Sequence, residues 1–332
     1  MQSPTSLIAV LGTGGTIAGT AVDAADHVGY SAAQIGVAQL VAAVPALAGG
    51  AIEVEQIAQL DSKDMSFAVW RTLAEAVQRH LARPELAGIV ITHGSDTLEE
   101  TAYFLHRVLA PNKPVVLVAA MRPATALQAD GPQNLLDAVM VAGTAGARGV
   151  LAVLGGVVHG AMDVRKRHPY RLDAFGSGDA GPIAHIEAGR LRRHRAWPGE
   201  DGGECGEGGE GGEKESGIGL ARLPRDVLQW PRVEIVMSHA GATGAIVRAA
   251  CDSGAQGLVV ATTGNGSVHH EMEAALLAAQ GAGVAVLRST RCLDGSIVEP
   301  QGSVAELASA GALTPVQARI ELMLRLLAQR AR

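Results

Sequence analysis

The chain has 332 residues, of which 48% are hydrophobic, and a formal net charge of −6. A chain of this length and composition can build one large or two medium cores, and the length favours two domains. The negative charge excludes nucleic acid as an expected partner, because phosphate binding needs a concentrated basic surface. Three widely spaced cysteines favour a reducing compartment and give no zinc pattern. We expect a cytoplasmic protein without membrane association, since no basic leader and no membrane-spanning apolar run is present.

Residues 7–19 combine an apolar run with a glycine-rich turn. The run at 7–11 is typical of a strand buried on both faces of a parallel sheet. The glycines after it let a substrate approach the main chain and the hydroxyls of Thr13 and Thr16. This stretch is either an ordinary strand-to-helix turn or a turn that carries a nucleophile. A dinucleotide site is disfavoured, because Ile17 occupies the position of the third glycine.

Residues 20–33 are small, polar and without periodicity, which predicts a mobile loop directly after the turn. Tyr30 either anchors this loop by packing or brings a phenol to the site as part of a lid. A helical pattern at 33–44 and an alternating strand pattern at 52–57 follow.

A polar cluster containing Asp61, Ser62 and Asp64 precedes a predicted helix that begins near Phe67. Capping of that helix is one explanation for these short polar side chains. The other is binding of an anion, such as a substrate carboxylate.

The strand predicted at 88–92 runs into a second polar cluster at 93–100. Thr97 and Glu100 fit a capping box at the start of the next helix. That interpretation leaves Ser95 and Asp96 without a structural explanation.

Further strands are predicted at 114–119 and 149–154, with a helix from Gly131 between them. The charged residues at 163–167 indicate, on composition alone, a solvated loop. Alternating strands and helices predict a larger N-terminal domain with a mostly parallel, doubly wound sheet. In such sheets the ligand lies beyond the carboxyl ends of the strands. Their convergence at that edge favours an active site over a set of helix caps for the residues that come after predicted strands, which are Thr16, Ser62, Ser95, Asp96, Ala120 and Lys166.

We predict an N-terminal domain at 1–191, a flexible linker at 192–216 and a smaller C-terminal α/β domain at 217–332. The linker is rich in glycine and glutamate and has too little apolar surface to order itself. The last domain alternates strands at 233–237, 257–261 and 284–287 with helices. A glycine-bearing turn follows its second strand and leads to Ser267. The adjacent His269 and His270 make a poor metal pair.

Two long segments resemble the signatures of the bacterial-type L-asparaginase and glutaminase-asparaginase family. They are GTGGTIAG at 12–19 and ITHGSDTLEETAYFL at 91–105. The similarity extends through 114–123, 129–132, 163–166 and 264–266, and covers nearly the whole chain except the linker. It implies an amidohydrolase that releases ammonia from L-asparagine through a covalent acyl-enzyme and needs no metal or organic cofactor.

The same resemblance implies roles for the candidate catalytic residues. Thr16 matches the nucleophile and Tyr30 the tyrosine of a mobile lid. Ser95, Asp96 and Lys166 match a hydrogen-bonded relay. A hydroxyl needs such a base within reach, because a neutral hydroxyl is a weak nucleophile.

Substrate-binding roles follow from the resemblance in the same way. Ser62 matches the residue that binds the substrate α-carboxylate, and Asp96 also receives the α-ammonium. The main chain at Ala120 meets the side-chain amide, and the remaining candidates around the substrate are Lys63, Gly94 and Ser267. The family also implies a homo-oligomer, a dimer of tight dimers in which a neighbouring subunit completes each site.

Three residues depart from the family pattern. Ser95 replaces a threonine and lacks the methyl group that restricts its rotamer. Lys63 replaces a neutral or acidic residue and would repel a substrate ammonium unless it pairs with Asp61 or Asp64. If it is unpaired, Lys63→Gln is expected to lower KM. Ser267 replaces an asparagine, which leaves more room and predicts some L-glutaminase activity.

Two other functions fit the same fold. One is the amidotransferase component that supplies ammonia to misacylated tRNA, which we disfavour because the signature starts early in the chain and the charge is not basic. The other is a non-catalytic amino-acid-binding protein. The presence of Thr16, Asp96 and Lys166 together speaks against it.

Overall fold

The structure is a computed structural model that describes residues 6–200, 217–300 and 305–330. The chain forms two units. Among the described residues, the first unit contains 6–200 and 217–220 and the second contains the rest. No helix within the described ranges is long and apolar enough to cross a membrane.

The first unit is built on an eight-stranded sheet, five strands of which are parallel. The parallel strands are β1 (Leu7–Gly14), β2 (Ile52–Leu60), β3 (Leu86–Thr92), β4 (Pro114–Val118) and β5 (Gly149–Leu154). They lie side by side in the order β2, β1, β3, β4, β5. Because β1, β3, β4 and β5 are almost wholly buried, their apolar runs fit a sheet covered on both faces. The predicted parallel sheet is confirmed.

An antiparallel extension continues this sheet beyond β5. It consists of β6 (Val157–Gly160), then β9 (Ala184–Glu187) and β10 (Arg190–Arg193). Between them, β7 (Arg165–Lys166) and β8 (Phe175–Gly176) form a separate two-stranded sheet. The sequence reading did not predict these strands. The solvated charged loop expected at 163–167 was wrong, since Arg165 is buried and Lys166 is half-buried.

Four helices accompany the parallel strands. They are α1 (Val37–Ala42), α2 (Phe67–Leu81), α3 (Leu98–Leu109) and α4 (Gly131–Ala142). Trp70 of α2 stacks on Phe104 of α3, with ring centroids 4.8 Å apart. This contact packs the two helices that follow β2 and β3 against each other.

The helix starts differ from the sequence prediction. Ser66 caps α2 by accepting a hydrogen bond from the Val69 N–H, whereas Asp61 caps a short 3-10 turn at Ser62–Asp64. The capping box predicted at α3 was wrong, because the side chain of Thr97 makes no capping bond there.

The first residues of the predicted linker are structured. Residues 192 and 193 belong to β10, and Trp197 is 4% exposed within the core of the first unit. At its other end, the main chain of residues 218 and 219 donates hydrogen bonds to Arg107 and Val108 of α3. The glycine-glutamate stretch at 201–216 lies outside the described residues.

The second unit contains a four-stranded parallel sheet with three helices. Its strands, in sheet order, are β11 (Val233–Met237), β12 (Gly257–Thr262), β13 (Ala285–Thr290) and β14 (Ala308–Ser309). The helices are α5 (Ala245–Asp252), α6 (His270–Gly281) and α7 (Pro315–Arg330). Its own core is formed around Leu258, Val260 and Leu276. The protein therefore has the predicted two-domain α/β fold.

Candidate active site

Thr16 begins a short 3-10 turn directly after β1. Gly14 and Gly15 before it have φ of 106° and 83°, which glycine adopts without strain. The Gly15 N–H donates to the Leu60 carbonyl at 2.9 Å, and its carbonyl accepts from the Ala33 N–H at 3.0 Å. The turn is thus fixed between the end of β2 and the next loop, with Thr16 only 8% exposed.

Tyr30 lies over Thr16, with 2.7 Å between the tyrosine hydroxyl and Thr16 Oγ1; either oxygen can donate. The loop that carries Tyr30 is closed by a bridge between Thr20 and Ser31. Gly19 lies beneath the tyrosine, and a Cβ there would come within 2.9 Å of a ring carbon. The loop therefore delivers its phenol to the candidate nucleophile.

The same loop is docked at its tip, by residues that the sequence reading did not identify. His27 Nδ1 is 3.2 Å from the Tyr170 hydroxyl. The Arg122 guanidinium lies 4.1 Å from the Tyr170 ring centroid and donates to the Tyr170 carbonyl. The Ala21 N–H donates to Thr125 Oγ1 at 2.8 Å. In the structure this loop is held closed by contacts with two neighbouring loops.

The turns after β1, β2 and β3 touch one another. A Cβ added to Gly15 would lie 2.3 Å from the Gly94 Cα, and one added to Gly94 would lie 2.4 Å from Ser62 Oγ. Both positions require glycine for this close approach. Thr16, Ser62 and the second polar cluster are therefore brought to one edge of the sheet, as parallel topology predicts.

Ser62 is buried and links two of these turns. Its Oγ accepts from the Asp96 N–H at 3.2 Å, and its carbonyl accepts from Thr97 Oγ1 at 2.8 Å. Thr97 therefore ties α3 to the turn at Ser62.

Lys166 joins Ser95 and Asp96 in a second cluster. Its Nζ donates to Ser95 Oγ at 2.9 Å and to Asp96 Oδ1 at 2.6 Å. The Lys166 side chain is 16% exposed, whereas that of Asp96 is 53% exposed. Ser95 and Lys166 form a hydroxyl–amine pair of the kind used to activate nucleophiles. The open Asp96 carboxylate remains accessible to a ligand.

A buried chain of hydrogen bonds orients Gly94, and the sequence reading missed it. His93 Nδ1 is 2.7 Å from the Gly94 carbonyl, and its Nε2 is 2.9 Å from Thr101 Oγ1. Burial lowers the pKa of His93 to about 4, so the ring is neutral. Because a carbonyl only accepts, Nδ1 carries the proton and Thr101 donates to Nε2. Trp70 Nε1 donates in turn to Thr101.

The loop after β4 presents the main chain at Ala120, which is fully buried. The Asp130 carboxylate accepts from the main-chain N–H groups of Met121 and Arg122 at 2.9 Å each. Asn134 Nδ2 donates to the Ala119 carbonyl at 3.0 Å. These two side chains, at the start of α4, hold the main chain of the loop in place. The sequence analysis did not predict this role.

Lys63 is paired within its own turn. Its Nζ lies 2.6 Å from Asp61 and 3.3 Å from Asp64, and the side chain is 61% exposed. The hydrogen bond to Asp61 raises the pKa of Lys63, so its ammonium persists. Lys63 is thus paired with both aspartates, which is the arrangement in which its charge need not repel a substrate ammonium.

Ser267 belongs to the second unit. It forms an antiparallel bridge with Thr263 in the turn after β12 and is exposed. Within the described residues, no three histidine, cysteine, aspartate or glutamate side chains are grouped to hold a metal ion.

Comparison with known proteins identifies the family. The family model described as Asparaginase, N-terminal, matches residues 7–198. A second model, Glutaminase/Asparaginase C-terminal domain, matches residues 232–332. The chain belongs to the asparaginase family.

Individual asparaginases match over most of their length. L-asparaginase 2 of Escherichia coli is 35% identical over 325 residues, which is 96% of this chain and 88% of that protein. A probable periplasmic L-asparaginase of Haemophilus influenzae gives the same identity and coverage. The crystal structure of a probable cytoplasmic L-asparaginase from Campylobacter jejuni superposes with a TM-score of 0.86, at 34% identity, and covers 97% of this chain and 95% of its own.

The close approach of Gly19 to the Tyr30 ring can be tested by adding a methyl group at Gly19. In Gly19→Ala the new methyl group meets the ring at 2.9 Å and the Thr16 carbonyl at 3.0 Å. We expect the tyrosine to shift and kcat to fall by about 10-fold or more, since small misplacements reduce the rate steeply. Gly36→Ala is the matched control, because its Cβ has ordinary van der Waals space. Equal kcat values in the two variants would contradict the prediction.

Proposed function

We propose that the protein is an L-asparagine amidohydrolase that releases aspartate and ammonia through an acyl-enzyme on Thr16. One observation carries the proposal. Thr16, which contacts Tyr30, and Ser95, which contacts Lys166, lie on two turns whose main chains touch at Gly15 and Gly94. Family membership supports asparagine as the substrate.

The reaction has two halves. Thr16 Oγ1 attacks the side-chain amide carbon, the carbon–nitrogen bond breaks, and ammonia leaves after taking up a proton. Water then cleaves the threonine ester, which yields aspartate and restores the hydroxyl. Tyr30 contacts Thr16 Oγ1, so it takes up and passes on the proton that this hydroxyl loses during the attack. The Ser95–Lys166 pair accepts and returns protons, because Lys166 Nζ lies within hydrogen-bond distance of the Ser95 hydroxyl.

The other candidate residues are assigned to substrate binding. The exposed Asp96 carboxylate receives the substrate α-ammonium through a charge-assisted hydrogen bond. Ser62 and the turn at Gly94 receive the α-carboxylate. The main chain at Ala120, fixed by Asp130 and Asn134, faces the reacting amide. Main-chain N–H groups on such fixed turns stabilise the developing oxyanion, each by about 3 kcal/mol.

The direct test is ammonia and aspartate release from purified protein given L-asparagine or L-glutamine. Stoichiometric aspartate and ammonia from L-asparagine would support the proposal. Because Ser267 is smaller than the asparagine of the family pattern, we also expect measurable L-glutamine turnover. Binding of L-asparagine without release of ammonia, by folded protein, would replace the proposal with an amino-acid-binding function.

The pairing of Lys63 changes what its removal should do. Since Lys63 is held by Asp61 and Asp64, we expect Lys63→Gln to change KM for L-asparagine by less than about threefold, the range of exposed ion pairs. Steady-state kinetics at low and high salt would check this. A KM that falls by tenfold would mean that the ammonium turns toward the substrate.

The assembly and location extend the proposal. The family relationship supports a homo-oligomer, a dimer of dimers, in which a neighbouring subunit completes each site. Light scattering of the purified full chain measures this directly. A cytoplasmic location would match the Campylobacter protein, a probable cytoplasmic L-asparaginase, whereas the Haemophilus protein is a probable periplasmic L-asparaginase. Fractionation of the source cells distinguishes the two.

A further inference from the structure

Glu99 lies beside the Lys166 cluster, although none of the roles above uses it. It is in the first turn of α3, three residues after Asp96. Its Oε2 accepts a hydrogen bond from the main-chain N–H of Lys166 at 3.0 Å. The side chain therefore links α3 to β7 at the residue whose ammonium reaches Ser95.

We propose that Glu99 is a positioning residue that holds the Lys166 main chain so that Nζ reaches both Ser95 and Asp96. Strand β7 has only two residues and, among the described strands, pairs only with β8. Its own sheet thus gives Lys166 little restraint. Both partners of Nζ lie just before α3, and Glu99 anchors the other end of Lys166 to that same helix. The inference rests on the proposed function of these three residues.

The ionisation of Glu99 sets the strength of this hold. Burial, together with the charge of Glu100, raises the pKa of Glu99 to about 7. The hydrogen bond from the Lys166 N–H and the charges of Arg165 and Lys166 act in the opposite direction and lower it, but by less. An ionised carboxylate accepts a stronger hydrogen bond than a protonated carboxyl group. The hold on Lys166 therefore tightens as pH rises through about 7 and loosens below it.

This predicts a specific shape for the pH profile. In the wild type, kcat for L-asparagine should rise with an apparent pKa near 7, with little change in KM, because none of the proposed substrate contacts is assigned to Glu99. Glu99→Gln keeps an oxygen that can accept from Lys166 but has no proton to lose. We expect that limb of the profile to disappear, with kcat at high pH within about tenfold of the wild type.

Glu100→Gln is the matched variant on the same helix turn. It leaves Glu99 in place and removes a charge that raises the pKa of Glu99. The limb should therefore persist and move to lower pH. Thermal unfolding of both variants would verify that they fold.

A second readout does not need turnover. The chain has only four lysines, at 63, 113, 166 and 214, so ¹⁵N-lysine labelling of deuterated protein gives a simple amide spectrum. Lys166→Arg assigns the resonance of interest. That resonance should titrate near pH 7 in the wild type and not in Glu99→Gln. Titration and kcat profiles that are identical in the two proteins would overturn the positioning role. A wild type that releases no ammonia at any pH would overturn the proposed function instead.

Discussion

Thr16→Ala should reduce ammonia release from L-asparagine by at least about 10³-fold, the scale expected when a covalent nucleophile is removed. The substitution leaves the fixed turn intact, because the main-chain bonds of Gly15 to Leu60 and Ala33 do not involve the side chain. Ser62 and Asp96 also remain, so calorimetry should still detect L-asparagine binding. Loss of turnover with retained binding is the expected combination.

Thr16→Ser and Ser95→Ala make this result specific. The serine variant keeps a hydroxyl opposite Tyr30 and loses only the methyl group that limits its rotamers, so we expect it to keep most of its activity. In Ser95→Ala, mass spectrometry of a slowly hydrolysed substrate should still find the acyl group on Thr16. Acylation that survives Thr16→Ala and vanishes in Ser95→Ala would reverse the roles of the two hydroxyls.

The parallel part of the sheet was predictable because its buried strands are continuous apolar runs in the sequence. The run at 7–11 is apolar and lies buried on both faces, and polar side chains follow β1, β2 and β3 where the topology places a ligand. The convergence of Thr16, Ser62 and Ser95 follows from that topology alone. The topology does not determine which hydroxyl contacts Tyr30, because that contact depends on the conformation of the loop that carries Tyr30.

The antiparallel extension was missed although a signal for it was present. β5 and β6 are joined by Gly155 and Gly156, both with positive φ, and two glycines between apolar runs are a hairpin signal. Ala188 and Gly189 repeat this geometry between β9 and β10. Neither hairpin contains a helix, so a pattern of alternating strands and helices did not predict them.

Local patterns failed where a distant partner decided the outcome. Thr97 fits a capping box with Glu100, but its hydroxyl bonds to Ser62, 35 residues away. Lys166 sits in a run of charges typical of a solvated loop, yet its ammonium is held by Ser95 and Asp96, 71 and 70 residues away. Sequence windows do not contain such contacts, so only the resemblance to a family indicated the role of Lys166.

The second large effect is expected at Lys166, and it separates two roles for the amine. If Lys166 exchanges protons with Ser95, Lys166→Met should lower kcat by about 10² to 10⁴-fold, the usual contribution of a positioned acid or base. Lys166→Arg keeps a positive charge next to Asp96, but a guanidinium does not give up its proton. We therefore expect the arginine variant to be nearly as inactive as the methionine variant.

Lys113→Met is the control for loss of a partly buried lysine elsewhere in the same unit, where Nζ donates to the Arg83 carbonyl. It should leave kcat for L-asparagine unchanged. An arginine variant of Lys166 with near wild-type kcat would show that the site needs only a positive charge beside Asp96. Proton transfer would then be assigned to Tyr30, whose hydroxyl contacts Thr16 Oγ1.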